Sequence, residues 1–240
     1  MDLKRTHWLL RPWAPASAGA NGESSAGLTP FVPAEAATQH KKWFQRIRLA
    51  FVSILTLAGL VLLGQGAYIH AKALLAQVLL ERAFAETIAT GREVKPWSWA
   101  DTWPVARIEV KRLGASAIAL AGSSGQALAF GPGHVELTPD AGERGVAVYS
   151  AHRDTHFRFL KDVAISDEIA VTRRDGRTFR YRVSGTSVVN FDQSGIDPLA
   201  EGHRLVLATC WPLDAATPGP MRYLVHADMI EETAGLQPDR

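Results

Sequence analysis

The stretch Leu205-Val206-Leu207-Ala208-Thr209-Cys210-Trp211-Pro212 is an apolar run that ends on a thiol and a proline. Leu, Val and Thr in so short a run suit a strand packed into a core. Pro212 closes it, because proline offers no N–H to a sheet ladder. The thiol therefore sits at a strand terminus, beside a loop. Cys210 is also the one cysteine in 240 residues. An internal disulfide, a CxxC redox pair and a multi-cysteine metal site are thereby excluded. Two readings stay open from this stretch alone: a nucleophile, or a small buried hydrophobe. A free thiol outside the cytoplasm risks oxidation, so an extracytoplasmic location favours the nucleophile.

The same texture of short runs broken by Gly, Pro and Asp fills the chain from residue 92 onward. Val105–Val110, Ala117–Ala121, Gly145–Ser150, Glu168–Arg173, Thr178–Val183, Leu205–Thr209 and Tyr223–Met229 all read as strands. Asp175-Gly176, between two of them, is a hairpin turn. Many short strands with little helix predict an all-β barrel or sandwich over 92–240.

The region before it divides differently. Residues 1–48 are expected to form a disordered cytoplasmic tail, rich in Ala, Pro, Gly and Ser and ending in a basic flank. Leu49 to Ile69 contains no charged residue. At 1.5 Å per residue it reaches about 30 Å, one hydrocarbon thickness. Residues 49–70 thus read as a transmembrane helix. Lys41, Lys42, Arg46 and Arg48 precede it and only Lys72 closely follows. The positive-inside rule then leaves the N-terminus in the cytoplasm and everything after residue 70 outside it. Leu74, Leu75, Val78, Leu79, Ala83, Phe84 and Ile88 recur at helical spacing, which predicts a helical extension over 71–91 that packs on the following domain. The 26 basic and 24 acidic residues give a net charge of +2, and no concentrated basic face points to nucleic acid.

A thiol nucleophile needs a proton-transfer partner and a stabiliser for the oxyanion. His152 follows the apolar run Gly145–Ser150, so it too lies at a strand exit. Arg222 opens the last run, twelve residues after Cys210. Two antiparallel strands joined by a loop of that length bring Cys210 and Arg222 to one end of a sheet. Alone, each has a plain alternative, as a structural histidine or a solvated arginine.

Taken together, these motifs resemble those of the sortase family. Ser150-Ala151-His152-Arg153-Asp154-Thr155-His156-Phe157 is similar to its histidine motif, and Leu207-Ala208-Thr209-Cys210 to its TLxTC cysteine motif. Arg222 falls where the family carries its arginine. Ala151 replaces a frequent glycine, and Val206 replaces a threonine. The approach Pro96-Trp97-Ser98-Trp99-Ala100-Asp101-Thr102-Trp103-Pro104 resembles the proteobacterial branch. The resemblance implies an all-β, closed eight-stranded barrel behind an N-terminal transmembrane helix and a short helical extension. It implies Cys210 as nucleophile, His152 as proton carrier and Arg222 as oxyanion donor, with Thr209 and His156 as substrate-binding residues. It also implies cleavage of an LPxTG-like sorting signal, an amine acceptor, an inner-membrane location and no cofactor.

His152 and His156 stand four apart, as in zinc-protease helices, but Arg-Asp-Thr between them lacks the glutamate base. His134 reads as a turn residue, and Asn190 to His203 as a cover over a groove. A cysteine peptidase on the same fold, with water as acceptor, and an anchored binding domain with a vestigial site remain the alternatives.

Overall fold

A computed structural model describes residues 34–233, apart from 216 and 218. The chain divides into two compact units after Leu60. In the described part of the first, residues 41–58 are helical and exposed throughout. The helix α1 (Ala34–Thr90) enters the second unit without a break. It therefore covers Ala34–Arg48, which composition assigns to the tail, and it makes the span and its extension one element. Pro33 precedes it, and proline is tolerated just at a helix start. Helix-forming Ala and Glu follow at once. Residues 1–33 lie outside the described residues. At the other end Gly91 takes φ 69° and donates its N–H to the Thr87 carbonyl, 2.8 Å away, a left-handed stop that suits glycine.

The second unit is an eight-stranded closed barrel. Its strands are β1 (Pro104–Val110), β2 (Ala115–Ala121), β3 (Gly133–His134), β4 (Gly145–Ser150), β5 (Glu168–Arg173), β6 (Thr178–Asn190), β7 (His203–Cys210) and β8 (Met221–Thr233). They close in the order β1-β2-β3-β4-β7-β8-β6-β5, with β5 back on β1. The β2–β3 and β4–β7 pairs are parallel and the rest antiparallel. Alternate residues of the longer strands fill the lumen: Ile108, Tyr149, Val171, Tyr181, Leu207 and Val225 among them. Burial of their rings pushes the Tyr181 hydroxyl up to about 12 and the Tyr149 hydroxyl higher still.

β4 and β7 are apolar on both faces, as parallel-paired strands inside a fold tend to be. The outward residues Val146, Val148 and Val206 join Leu224 in a second cluster, with Ile196 and Ala200 of the β6–β7 segment packed on it. On the far side, Leu80 and Phe84 of α1 cover Ile118 and Leu120 of β2.

Several elements differ from the sequence reading. β6 and β8 each reach 13 residues, because the C-terminal part of each pairs with the start of the other, antiparallel. β3 is two residues long, and its glycine and histidine carry no strand signal; its neighbours make it a strand. His134 thus sits in a strand, with Nε2 3.1 Å from the Pro139 carbonyl, instead of in a turn. The short helix α2 (Gly125–Phe130) is capped by the Ser124 side chain on the Ala127 N–H.

Candidate active site

The β7–β8 register decides the site. Cys210 stands directly opposite Arg222, in the last rung of the ladder. Directly opposed residues share a face, with Cβ atoms about 4.5–5.5 Å apart. Period-two alternation then assigns that face. Leu205, Leu207 and Thr209 point into the barrel, so Val206, Ala208 and Cys210 point out. The thiol and the guanidinium therefore cap an apolar outer surface made by Val146, Val148, Val206 and Leu224.

Arg222 is held in place from two sides. Its Nη1 donates to the Gly219 and Met221 carbonyls, both at 2.9 Å. Its guanidinium carbon lies 5.6 Å from the Phe191 ring centroid, a cation–π contact. Next to Cys210, Trp211 donates its N–H to Met221 and stacks on Tyr223 at 5.7 Å.

His152 reaches the same end through the parallel β4–β7 pair. Ala151 donates its N–H to the Ala208 carbonyl at 3.1 Å, continuing the ladder past Ser150. The alternation of β4, continued through Ala151, puts exposed His152 on the face of Cys210. The His152 carbonyl accepts from Thr155 and Phe157, and Phe157 is fully buried beneath the loop.

Thr209 faces the barrel interior. It is 2 % exposed, and its hydroxyl donates to the Ala151 carbonyl at 2.7 Å. Being adjacent to Cys210 on a strand, it must face the opposite way, a parity legible in the sequence. Its structural work is to tie the residue before His152 to the residue before the thiol. His156 lies apart from the thiol's apolar face, in the wall of a cavity with Ala129 and Phe130. Burial is the main cause that lowers the pKa of its imidazole; the Ala129 carbonyl opposes this and His152 adds to it.

Arg153 escapes a reading by motif. Only 6 % exposed, it donates from Nη1 to the Pro212 carbonyl at 2.9 Å and from Nη2 to the Thr217 carbonyl at 2.8 Å. It thus links the residue after His152 to the segment between Cys210 and Arg222. An arginine fork can hold two carbonyls at once, which lysine cannot do with the same geometry. An arginine beside a histidine gives no sequence signal for this; its burial is a tertiary fact.

The β6–β7 segment covers the outer cluster. Val146 donates its N–H to the Pro198 carbonyl at 3.0 Å, and Gly145 to Gly202 at 2.8 Å. Gly145 has φ 115°, and a Cβ there would stand 2.2 Å from the Pro198 carbonyl oxygen, so only glycine fits. Among the described residues, no group of three His, Cys, Asp or Glu gathers as metal ligands.

Fold and site together define a closed β-barrel that presents a cysteine, a histidine and an arginine at one strand end. The family model for the sortase domain matches residues 108–230, just over half of the chain. The chain belongs to the sortase family. It is 28 % identical over 124 residues to Sortase D of Bacillus subtilis (strain 168). That match covers 51 % of this chain and 62 % of the relative, less than two thirds of its length. The sortase D5 transpeptidase of Clostridium perfringens superposes with a TM-score of 0.51 at 23 % identity, covering 65 % of this chain and 96 % of that one. Sortase E of Streptomyces avermitilis gives a TM-score of 0.47 at 28 % identity, over 54 % and 90 %.

Proposed function

We propose that this protein is a membrane-anchored cysteine transpeptidase. It cleaves an LPxTG-like sorting signal through a thioacyl-enzyme and passes the acyl group to an amine. One observation carries the reading: Cys210 and Arg222 are opposed on the outer face, and the residues flanking His152 are hydrogen-bonded to the strand and loop of the thiol. The thiolate of Cys210 attacks the scissile carbonyl, and Arg222 donates to the oxyanion that forms. His152 protonates the leaving amine, and then accepts the proton of the incoming one. An extended peptide laid along the outer face would meet the apolar cluster under the β6–β7 segment, which suits a signal with apolar residues before the cut.

α1 supports the anchor. Its 57 residues include a stretch long and apolar enough to cross a bilayer, and none of that stretch is buried. The basic cluster before the stretch supports an N-terminus in the cytoplasm and a barrel outside it, and with the resemblance to the proteobacterial branch this favours the inner membrane. Trp97 packs edge-on against Phe130 at 4.8 Å, so the tryptophan-rich approach that resembles the proteobacterial branch is part of the barrel's cover.

The test is product analysis. An LPxTG-like peptide incubated with the purified protein yields a cleaved acyl fragment, and an added amine is incorporated into it, as read by mass spectrometry. A product that carries water alone, whatever amine is supplied, would make the protein a peptidase. No cleavage, together with no adduct on Cys210, would leave it a binding domain.

A further inference from the structure

A cavity of about 960 Å³ opens between α1, the start of β2 and the loop that carries His156. Its wall holds Lys72 from α1, and Arg158 and Lys161 from the short turn after the histidine loop. Asp162 is the one carboxylate on that wall. Among the described residues no ion pair engages Lys72, Arg158 or Lys161; Lys72 lies only over the Tyr68 ring, 5.8 Å from its centroid. Leu74, Phe130 and Phe159 line the same space.

The position along the chain gives this charge a meaning. The cavity's helical wall begins at His70, the residue after the charge-free run. Beyond it Leu74, Leu75 and Val78 remain exposed, so α1 still presents apolar surface at the level of the cavity. Unpaired cations beside exposed apolar side chains, directly past a span, are the profile of a surface at the headgroup layer. An anion supplied by water alone would not need the apolar part.

We propose that this cavity seats the phosphate of an anionic lipid of the surrounding bilayer, with Lys72, Arg158 and Lys161 on the phosphate and Leu74 and Phe159 beside the upper acyl chain. The proposal rests on the membrane-anchored reading above. Thr155 and His156 belong to the same wall, so the headgroup braces the loop that begins at His152. The lipid is thereby a positioning ligand for the proton carrier and takes no part in bond making.

The experiment uses the full chain in detergent micelles charged with phosphatidylglycerol or with phosphatidylcholine, and native mass spectrometry counts the lipid retained. The wild-type protein retains phosphatidylglycerol and loses phosphatidylcholine. Arg158→Ala combined with Lys161→Ala lowers that retention by about fivefold for each cation removed. Arg92→Ala combined with Lys95→Ala, on exposed residues outside the cavity, leaves it unchanged. Lys161→Gln, a single change on an exposed side chain, repeats the test should the double variant fold poorly. Equal retention of both lipids, or equal loss in both double variants, would overturn the site. Displacement of the lipid by inorganic phosphate would assign the cavity to free phosphate and overturn the lipid. Peptide cleavage measured in the same micelles reports on the transpeptidase reading separately: no cleavage and no adduct on Cys210, with phosphatidylglycerol still selectively held, removes that reading and leaves the lipid site.

Discussion

At the residue scale, register opposes Cys210 and Arg222 and strand alternation puts His152 on the same face, and each side chain has a separable signature. Cys210→Ala removes the one thiol and leaves the barrel, so no covalent substrate adduct forms, whereas intact-mass spectrometry of the parent traps one. An adduct on the Ala variant would sink the nucleophile. The oxyanion role proposed for Arg222 concerns charge that develops in the transition state, so Arg222→Ala is expected to lower kcat by about 10²–10³-fold with little change in KM. Arg222→Lys keeps the charge but loses the fork, and is impaired too. Retention of more than about half of kcat, where loss of a donor costs about 10²-fold, would return Arg222 to a plain surface role. Arg153 is buried and joins the loop of His152 to the segment between Cys210 and Arg222, so it is expected to act as a positioning residue. A misplacement of about 1 Å at a catalytic group can cost about 10²-fold. Arg153→Ala therefore lowers kcat by up to about that factor at nearly constant KM, and Arg153→Lys recovers part of it. Steady-state kinetics normalised to folded protein separates this from a stability defect, which would leave kcat untouched.

At the element scale, α1 takes part in the packing of the barrel. Leu80 and Phe84 are fully buried against Ile118, Leu120 and Ala127, so the last turns of the helix complete the cover of β2. Truncating such side chains costs about 2–5 kcal/mol for Leu→Ala and about 3–5 kcal/mol for Phe→Ala. Urea unfolding of Leu80→Ala and Phe84→Ala measures this, and losses under about 1 kcal/mol would mean that the helix only touches the barrel. The periodic run Leu74 to Ile88 announces such a packing stripe, but it does not say which turns meet the barrel. Leu74, Leu75 and Val78 share the pattern and stay exposed. Strand ends show the same limit. The mostly polar residues that extend β6 past Val183 and β8 past Met229 have no apolar period to reveal them, and cross-strand pairing decides their length.

At the scale of the whole molecule, the location of charge makes two statements. The first is topology: a reporter fused after residue 240 is active outside the cytoplasm and silent within it, and the reverse would overturn the orientation. The second is pH. Burial lowers the pKa of both His156 and His226; at His226, Asp228 opposes this and Arg204 adds to it. The unfolded chain then takes up protons near pH 6.5 that the native state resists. Stability is flat above that pH and falls as the pH drops through it. Asp167 behaves oppositely in cause, because the Arg112 guanidinium holds its carboxyl below the usual range; burial opposes this. Its contribution is present above about pH 4 and is lost below. Thermal melts from about pH 8 to about pH 5 show the histidine step, and His156→Gln with His226→Gln reduces it. A melt that is flat over that range would contradict the burial of both rings.

Chain-local physics decides part of this protein without any fold. A charge-free run of hydrocarbon thickness marks a candidate span, an apolar run stopped by Pro212 places the thiol at a strand end, and alternation turns Thr209 away from Cys210. Each follows from neighbours in sequence, where rise per residue, side-chain period and the missing proline donor act directly. The tertiary structure decides what depends on partners distant in the chain. The rung that sets Arg222 against Cys210, the parallel pairing that delivers His152, and the two-residue β3 are choices of register. So is the burial of Arg153, whose fork is held by carbonyls 59 and 64 residues away. No local pattern encodes those contacts, because their free energy appears only once the barrel has closed and water has left the groups that meet.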